Sequence, residues 1–439
     1  MTKINTKPLS GFMELKPAEQ ILFDKIKETI EKNYQLFGFI PMDNPLIERK
    51  EVLFAKAGGE TETQIYEFRK GDTDLALRFD LTVPLARYVA DNYGELTFPF
   101  KRYQIAKVYR GERPQAGRFR EFYQADIDII GDETLDLNFD SEIPAVIVKV
   151  FNDLGFENFT LRINNRKIFN GLFLDLALEK ESEWIMQIID KLDRVGADMC
   201  QEELKEKGIH FKKVDKIFNL LKLKGTNLEI LENLKKMEIE NEIFDEGVRE
   251  LELVINNLQS LGIKEKYFEI DLTIARGLNY YTGTVYETRL NDYSEIGSVC
   301  SGGRYDNLAS EYTSKKLPGV GISIGLSRLF DQLLKKEVIK SNESTYTKIL
   351  ILPMEKNAKE NALELVSKLR DNNIPSEINL NFDKKLPKRI KYADKLNIPS
   401  VIFIGEEELK KNKYTLKNME TGKQELVNFE EILKKNNEK

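Results

Sequence analysis

QIAKVYRGERPQAGRFREFYQADIDII, residues 104–130, is the stretch from which the fold of this chain can be read. QIAKVYR alternates apolar and polar residues, RGERPQAG is a polar tip with Pro114 and Gly117, and EFYQADIDII alternates again, so the segment is expected to be a β-hairpin. Period two puts Phe122, Gln124, Asp126 and Asp128 on one face of the returning strand, and Arg110 ends the strand opposite. Charge is concentrated here: residues 101–120 hold seven Lys or Arg, at 101, 102, 107, 110, 113, 118 and 120, against the single acid Glu112. Such a hairpin reads in two ways. It is a solvated basic loop with Phe122 in the core, or it is a phosphate reader in which Arg110, Arg118 and Arg120 grip an anion through planar forks while Phe122 stacks on an adenine ring.

Outward from the hairpin, Ile21, Leu22, Ile26, Ile30, Tyr34 and Phe37 recur at helical spacing between Pro17 and Gly38, which predicts an early helix. GFIPMDNPLIE (38–48) is broken by Pro41 and Pro45 and cannot continue it. From 164 to 265 the texture is charge-rich and helical without a proline, as expected of a helical insertion. Strand patterns return in YFEIDLTIA (267–275), TVYETRL (284–290) and IGSVCSGGRYD (296–306). LPGVGISIGLSRLFDQLL (317–334) reads as a glycine-rich strand running into a helix, with Arg328 in its first turn, where free N–H groups and the dipole favour an anion. KKEVIKSNESTYT (335–347) is a linker candidate. Beyond it, KILILP, AKENALELVSKLRDN, IPSEI, KKLPKRIKYADKLN and PSVIFIG alternate as strand and helix, the pattern of a small α/β domain with a parallel sheet.

Composition narrows the chemistry. A chain of 439 residues, 41% hydrophobic and 32% charged, is expected to be a soluble globular protein of more than one domain. MTKINTKPLS lacks the apolar segment of a secretory signal and no apolar run approaches the roughly 18 residues of a membrane span, so the expected location is cytoplasmic, with no membrane association. Cys200 and Cys300 are the two cysteines and His210 the single histidine. A disulfide framework, a zinc cluster and a Ser/His/Asp relay are therefore hard to assemble, and no metal site built from protein side chains is expected. His210, in KGIHFKK, is expected to be solvated. The net charge of −6 argues against indiscriminate nucleic-acid binding and leaves room for a local basic face. GVGISIG (319–325) has the spacing GxGxxxG rather than that of a dinucleotide fingerprint, and GxxxxGK[ST] is absent. Chemistry must rest on Arg, Asp, Glu, Tyr and backbone groups.

IARGLNYYTG (274–283) joins an arginine, two glycines and two tyrosines, which suits polar recognition of a small molecule as well as a surface turn. Taken together, the motifs carry a resemblance. VYRGERPQAGRFREFYQADIDIIG and PGVGISIGLSRL resemble motifs 2 and 3 of class II aminoacyl-tRNA synthetases, and GFIPMDNPLIE resembles motif 1 with Pro45 as its proline. RGLNYYTGTVYE, SGGRYDNL and LRFDLTVPLARY are similar to signatures of histidyl-tRNA synthetases, and the resemblance runs from about residue 8 to the C-terminus. It implies an α+β fold: a class II antiparallel-sheet catalytic domain (1–163 and 266–337), a helical insertion (164–265) and a C-terminal α/β anticodon-binding domain (345–439).

The resemblance also implies a reaction, in which histidine and ATP, accompanied by Mg2+, form histidyl-adenylate and the histidine passes to the terminal ribose of tRNA(His). By it Arg110 and Arg276 are catalytic. Asp80, Thr82, Arg110, Gln124, Asp128, Arg276, Tyr280 and Tyr281 bind histidine. Arg110, Glu112, Arg118, Phe122 and Arg328 bind ATP, and Arg113 and Gln115 reach the acceptor end of the tRNA. The physical chemistry of the ring agrees: neutral imidazole has one donor and one acceptor nitrogen, which Asp128 and Tyr281 would match. Asp80 reads equally as a cap for the helix begun by TVPLARY. Motif 1 lies at a two-fold interface in the family, so a homodimer is implied. Lys384, Lys385, Lys388, Arg389 and Lys391 read as phosphate contacts or as a solvated helix face. The pattern departs from the family at Asn279, where Asp is common, at Asp80 and Asp128, where many bacterial members have Glu, and at Ser301, where Ala is usual. The competing readings are an inactive relative serving as regulatory subunit of ATP phosphoribosyltransferase, a synthetase for another amino acid, and a nucleic-acid-binding protein without catalysis.

Overall fold

A computed structural model describes residues 4–55, 60–113, 117–274 and 280–437. The chain divides into two compact units, residues 1–13 with 26–336 and residues 14–25 with 337–439.

The first unit is built on an eight-stranded sheet whose spatial order is Ile40–Pro41, Phe100–Tyr109, Glu121–Ile130, Gly319–Ile324, Ser298–Tyr305, Thr284–Leu290, Phe159–Asn165 and Phe268–Ile270. All neighbours run antiparallel except the outermost pair at each edge. The expected hairpin supplies its second and third strands, longer than read: Phe100–Tyr109 begins four residues before Gln104 and pairs in unbroken register with Glu121–Ile130. Ile127 and Ile129 alternate with Asp126 and Asp128, and all four are buried. A strand with polar side chains on one buried face and apolar ones on the other therefore has both faces covered. Helix Pro17–Leu36 matches its expected span, and Tyr34 on it is fully buried and donates through its hydroxyl to the Ala125 carbonyl at 3.0 Å. On the opposite face, helix Thr82–Asp91 buries Val83, Leu85, Ala86 and Val89 against Phe100, Ile130, Tyr305 and Leu317.

Residues 166–260 form a run of helices, from Arg166–Asp175 to Glu242–Ser260. Gly171 and Gly247 let those two helices close on each other: a Cβ on Gly171 would lie 2.5 Å from the Phe244 nitrogen. Asn241 caps Glu242–Ser260 by accepting from the Ile243 and Phe244 N–H groups. His210 is exposed, as expected, and caps Phe211–Leu221 through a ring nitrogen. Trp184, the single tryptophan, lies on Ser182–Ile189 with the Lys207 ammonium 5.3 Å from its ring centre. Both cysteines are buried and free.

The second unit has a five-stranded sheet in the order Ser376–Ile378, Ile349–Pro353, Ser400–Ile404, Tyr414–Asn418, Gln424–Val427. The three strands expected from sequence pair in parallel, and the last two add an antiparallel hairpin turned at Gly422 (φ 71°). Among the described residues no helix is long and apolar enough to cross a membrane.

Candidate active site

Strand register assembles the site. Pairing sets Arg102 opposite Asp128 and Gln104 opposite Asp126. On the other side of the same strand, Gly321 faces Asp128 and Ser323 faces Asp126. The ladders continue from Gly321 to Gly303 and from Ser323 to Ser301, then to Val285 and Glu287. Directly paired residues share a face. One face thus carries a polar row, Gln104, Asp126, Ser323, Ser301 and Glu287, beside a second row, Arg102, Asp128, Gly321 and Gly303. The two glycines keep the floor of that second row low. A Cβ on Gly321 would come within 2.1 Å of Asp128 Oδ1, and one on Gly303 within 2.7 Å of the Thr284 carbonyl and 3.0 Å of the Tyr281 ring.

Above the floor, three buried carboxylates gather. Asp80, just before Thr82–Asp91, accepts the Val83 N–H at 3.1 Å through Oδ1, so it is the helix cap that its position suggested, while its Oδ2 is buried without a protein partner. Burial raises its pKa to about 6, offset by the Val83 N–H and by the charge of Arg110. Asp126 has the same character: burial raises it to about 7 against the pull of Arg102, and its Oδ1 has no partner. Asp128 is held by Arg102 Nη2 on Oδ2 at 2.6 Å and by the Tyr305 hydroxyl on Oδ1 at 2.8 Å. Burial raises its pKa too, with Arg102 and Tyr305 opposing. The Gln124 amide donates to Ser323 Oγ at 2.8 Å, which leaves its own oxygen buried and unpaired. Thr82 is buried in the first turn beside them. Unpaired buried acceptors in this number point to a cationic ligand, because buried polar groups are otherwise satisfied.

Tyr280 and Tyr281 stand beside these carboxylates, their rings edge to face at 5.0 Å, with Tyr280 also edge-on to Tyr305 at 5.8 Å. Burial, then the carboxylates of Asp128 and Asp126, push the Tyr281 phenol well up, so it is a hydrogen-bond donor at any working pH.

Toward the hairpin tip the groups become cationic. Arg110 Nε donates to the Phe79 carbonyl at 3.0 Å and its guanidinium lies 5.2 Å from the Phe122 ring centre. Phe122 packs on Leu81, Ala106 and Val108, so it belongs to a small apolar cluster and is only partly buried in it. Glu112 pairs with Arg118 at 3.4 Å, and Arg120 Nε donates to the Glu112 carbonyl at 3.1 Å. Arg328 stands in the first turn of Leu326–Lys335, donates to the Ile296 carbonyl and keeps a buried Nε without a partner. After burial, the like charge of Arg118 is the strongest influence on Arg328, so the two cations stand near one another.

Of the residues expected from sequence, Asp80, Asp128, Arg110, Tyr280 and Tyr281 lie within one another's electrostatic reach, with Thr82 in the helix turn after Asp80 and Gln124 on the strand of Asp128; Phe122 lies against Arg110, Glu112 pairs with Arg118, and Arg118 stands near Arg328. Arg113 is exposed near the hairpin tip. Arg276, Gln115 and Asn279 lie outside the described residues. Sequence reasoning passed over Arg102, Ser323, Tyr305 and Glu287, and it put Asp126 on the right face without a role. The alternation used for the returning strand, applied to KRYQIAKVY, would have set Arg102 and Gln104 on the facing row. Arg304 of SGGRYDNL is structural: its guanidinium is saturated by Asp140 and by the Leu135 and Asp136 carbonyls.

A family model described as histidyl-tRNA synthetase matches residues 11–329, and one described as anticodon binding domain matches residues 348–439. A histidine–tRNA ligase of Clostridium tetani is 56% identical over 437 residues, covering 99% of each chain. One of Finegoldia magna is 46% identical, covering 98% of this chain and 99% of the relative. The crystal structure of histidyl-tRNA synthetase from Nostoc sp. PCC 7120 is 38% identical, with a TM-score of 0.89 over 99% of this chain and 100% of that chain. An ATP phosphoribosyltransferase regulatory subunit/histidyl-tRNA synthetase from Bacillus halodurans, at 22% identity and TM-score 0.77 over 92% of this chain and 99% of that one, shares the fold.

Proposed function

We propose a division of labour in this pocket that proceeds from one fact: the chain belongs to the histidyl-tRNA synthetase family and is a histidine–tRNA ligase of class II fold. The observation that carries the proposal is the set of unpaired buried acceptors, Asp80 Oδ2 and Gln124 Oε1, beside the Asp128 and Tyr281 pair. Asp80, Gln124 and Thr82 receive the histidine ammonium. Asp128 accepts from one ring nitrogen and the Tyr281 hydroxyl donates to the other, with Tyr280 packing alongside. A carboxylate has about four lone-pair sites, so the bonds from Arg102 and Tyr305 leave Asp128 free to accept another. An amino acid lacking the ring would leave these buried groups unpaired, which is the strongest form of rejection.

At the cationic end, Arg110 bridges the histidine carboxylate and the α-phosphate of ATP, Phe122 and Glu112 hold the adenine, and Arg118 with Arg328 hold the γ-phosphate. A carboxylate oxygen attacks the α-phosphorus and pyrophosphate leaves as the bond to the β-phosphate breaks. Arg276 supplies a second positive charge at that phosphorus. In the transfer step the terminal ribose hydroxyl of tRNA(His) attacks the carbonyl carbon, AMP leaves, and a phosphate oxygen of the adenylate accepts the hydroxyl proton. No protein base is required, because positioning and charge stabilisation supply the acceleration. Mg2+ enters on the triphosphate, in keeping with its preference for phosphate oxygens and water.

Arg113 and Gln115 at the hairpin tip approach the acceptor end, and Lys384, Lys385, Lys388 and Lys391 contact the tRNA backbone. The protein works in the cytoplasm as a homodimer about motif 1. In support, Ile40 and Ile47, on either side of Pro45, are 52% and 45% exposed, and Phe68, on the strand Glu67–Lys70 of the three-stranded sheet that also holds Ile47–Arg49, is 42% exposed. The test is pyrophosphate exchange into ATP with each amino acid offered singly: histidine alone supports it. Exchange with none would return the reading to a regulatory subunit, and exchange with another amino acid would reassign the pocket.

A further inference from the structure

We propose that Arg102 is a positioning residue for substrate selection: it holds Asp128 as a fixed, ionised acceptor beneath the histidine ring, in competition with Asp126. The proposal rests on the reading of Asp128 given above and goes beyond it.

Arg102 heads the fully buried side chains, at 0% exposure. Arg304, another buried arginine of the same sheet, offers a comparison. Arg304 spends all three nitrogens on Asp140 and two carbonyls, as a guanidinium does when it cross-links a fold. Among the described residues Arg102 spends only Nη2, on Asp128 Oδ2 and on the Leu81 carbonyl at 3.1 Å, while Nε and Nη1 have no partner. A buried arginine left so far unsatisfied is placed for its charge rather than for its hydrogen bonds.

That charge has a task. Burial alone would favour the neutral acid at Asp128, whose hydroxyl donates as readily as its carbonyl accepts, and the pocket would then lose its power to require a donor nitrogen on the ligand. Arg102 opposes this, and the Tyr305 hydroxyl fixes the other oxygen. Asp126 pulls in the opposite sense. It faces Arg102 and Gln104 on the neighbouring strand, Asp128 on its own, Ser323 on the strand beyond and Asp80 ahead of the helix, with Tyr34, Cys300 and Tyr281 also within its field. A carboxylate at Asp126 shares the one guanidinium and raises the cost of a second negative charge at Asp128.

The experiment measures the KM for histidine in pyrophosphate exchange from pH 5.5 to 8.5, for the wild type and for Arg102→Gln, Arg102→Lys, Asp126→Asn and Asp128→Asn. Thermal unfolding and the adenylate burst count the folded sites. Titration of free histidine is common to all and cancels. Arg102→Gln is expected to raise the KM for histidine roughly tenfold or more, the scale of one charge-assisted hydrogen bond, and leave the KM for ATP unchanged. It also moves the pH at which the KM climbs on acidification upward. Arg102→Lys keeps that pH near the wild-type value, and Asp126→Asn moves it downward. If the Gln and Lys variants behave alike, or Arg102→Gln keeps the wild-type acid limb while Asp128→Asn is impaired, Arg102 is merely structural and the proposal is overturned. If Asp128→Asn itself leaves the KM unchanged, the reading of the histidine pocket fails first. Should Arg102→Gln not fold, Asp126→Asn decides: a downward shift supports the proposal and any other result overturns it.

Discussion

At the scale of single residues the pocket is a compromise between burial and charge. Asp80 and Asp126 are raised to about 6 and about 7 by burial. A carboxyl whose pKa is higher in the folded state binds its proton more tightly there. Stability is therefore fullest below the unfolded value of about 4 and declines as pH climbs through 6 and 7, by on the order of 3 kcal/mol per group. The unliganded protein should accordingly unfold at a lower temperature at pH 8 than at pH 5.5, and Asp126→Asn should flatten that difference, which calorimetry at the two pH values would check. Asp80→Asn removes the charge facing the ammonium and is expected to raise the KM for histidine roughly tenfold or more while the helix cap persists, since an amide oxygen still accepts from Val83. Gly321→Ala would drive a methyl into Asp128. It should abolish histidine-dependent exchange while ATP still binds in an equilibrium assay. Alternation alone revealed Gln124 and Asp128 on one face, but the need for glycine at 303 and 321 appears only once the strands are in register, because the atom each side chain would strike belongs to a neighbouring strand.

At the scale of elements, long periodic segments were legible and short or two-sided ones less so. Helix Pro17–Leu36, the hairpin and Thr284–Leu290 match their sequence patterns. YFEIDLTIA reads as a strand of nine residues, whereas among its described residues only Phe268–Ile270 pairs, at the sheet edge. The final hairpin of the second unit went unread because YTLKN and QELV are short and mostly polar, as a half-covered antiparallel edge permits. Arg328 sits where the helix N-terminus already favours an anion, so Arg328→Ala should raise the KM for ATP about tenfold or more with the KM for histidine little changed, measured in the same exchange assay. Asn241→Ala removes the cap of Glu242–Ser260 and should cost about 1 kcal/mol in denaturant unfolding without altering exchange.

At the scale of the whole molecule the net charge is −6, yet the hairpin and the helix Leu386–Lys395 carry local basic patches. Reversing Lys384, Lys385, Lys388 and Lys391 to Glu should weaken tRNA binding and flatten its dependence on salt, leaving pyrophosphate exchange intact. The family was legible because its motifs combine rare residues at fixed spacing. The inner ion pair was not, because Arg102 lies within an ordinary basic run and only the fold distinguishes it from Lys101 and Lys107, which are only partly buried. One feature of the insertion reaches into the laboratory. With Trp184 as the sole indole of the chain, lodged among those helices beneath a lysine, emission excited at the red edge of protein absorbance watches that segment alone, and the β-sheet chemistry stays dark to it.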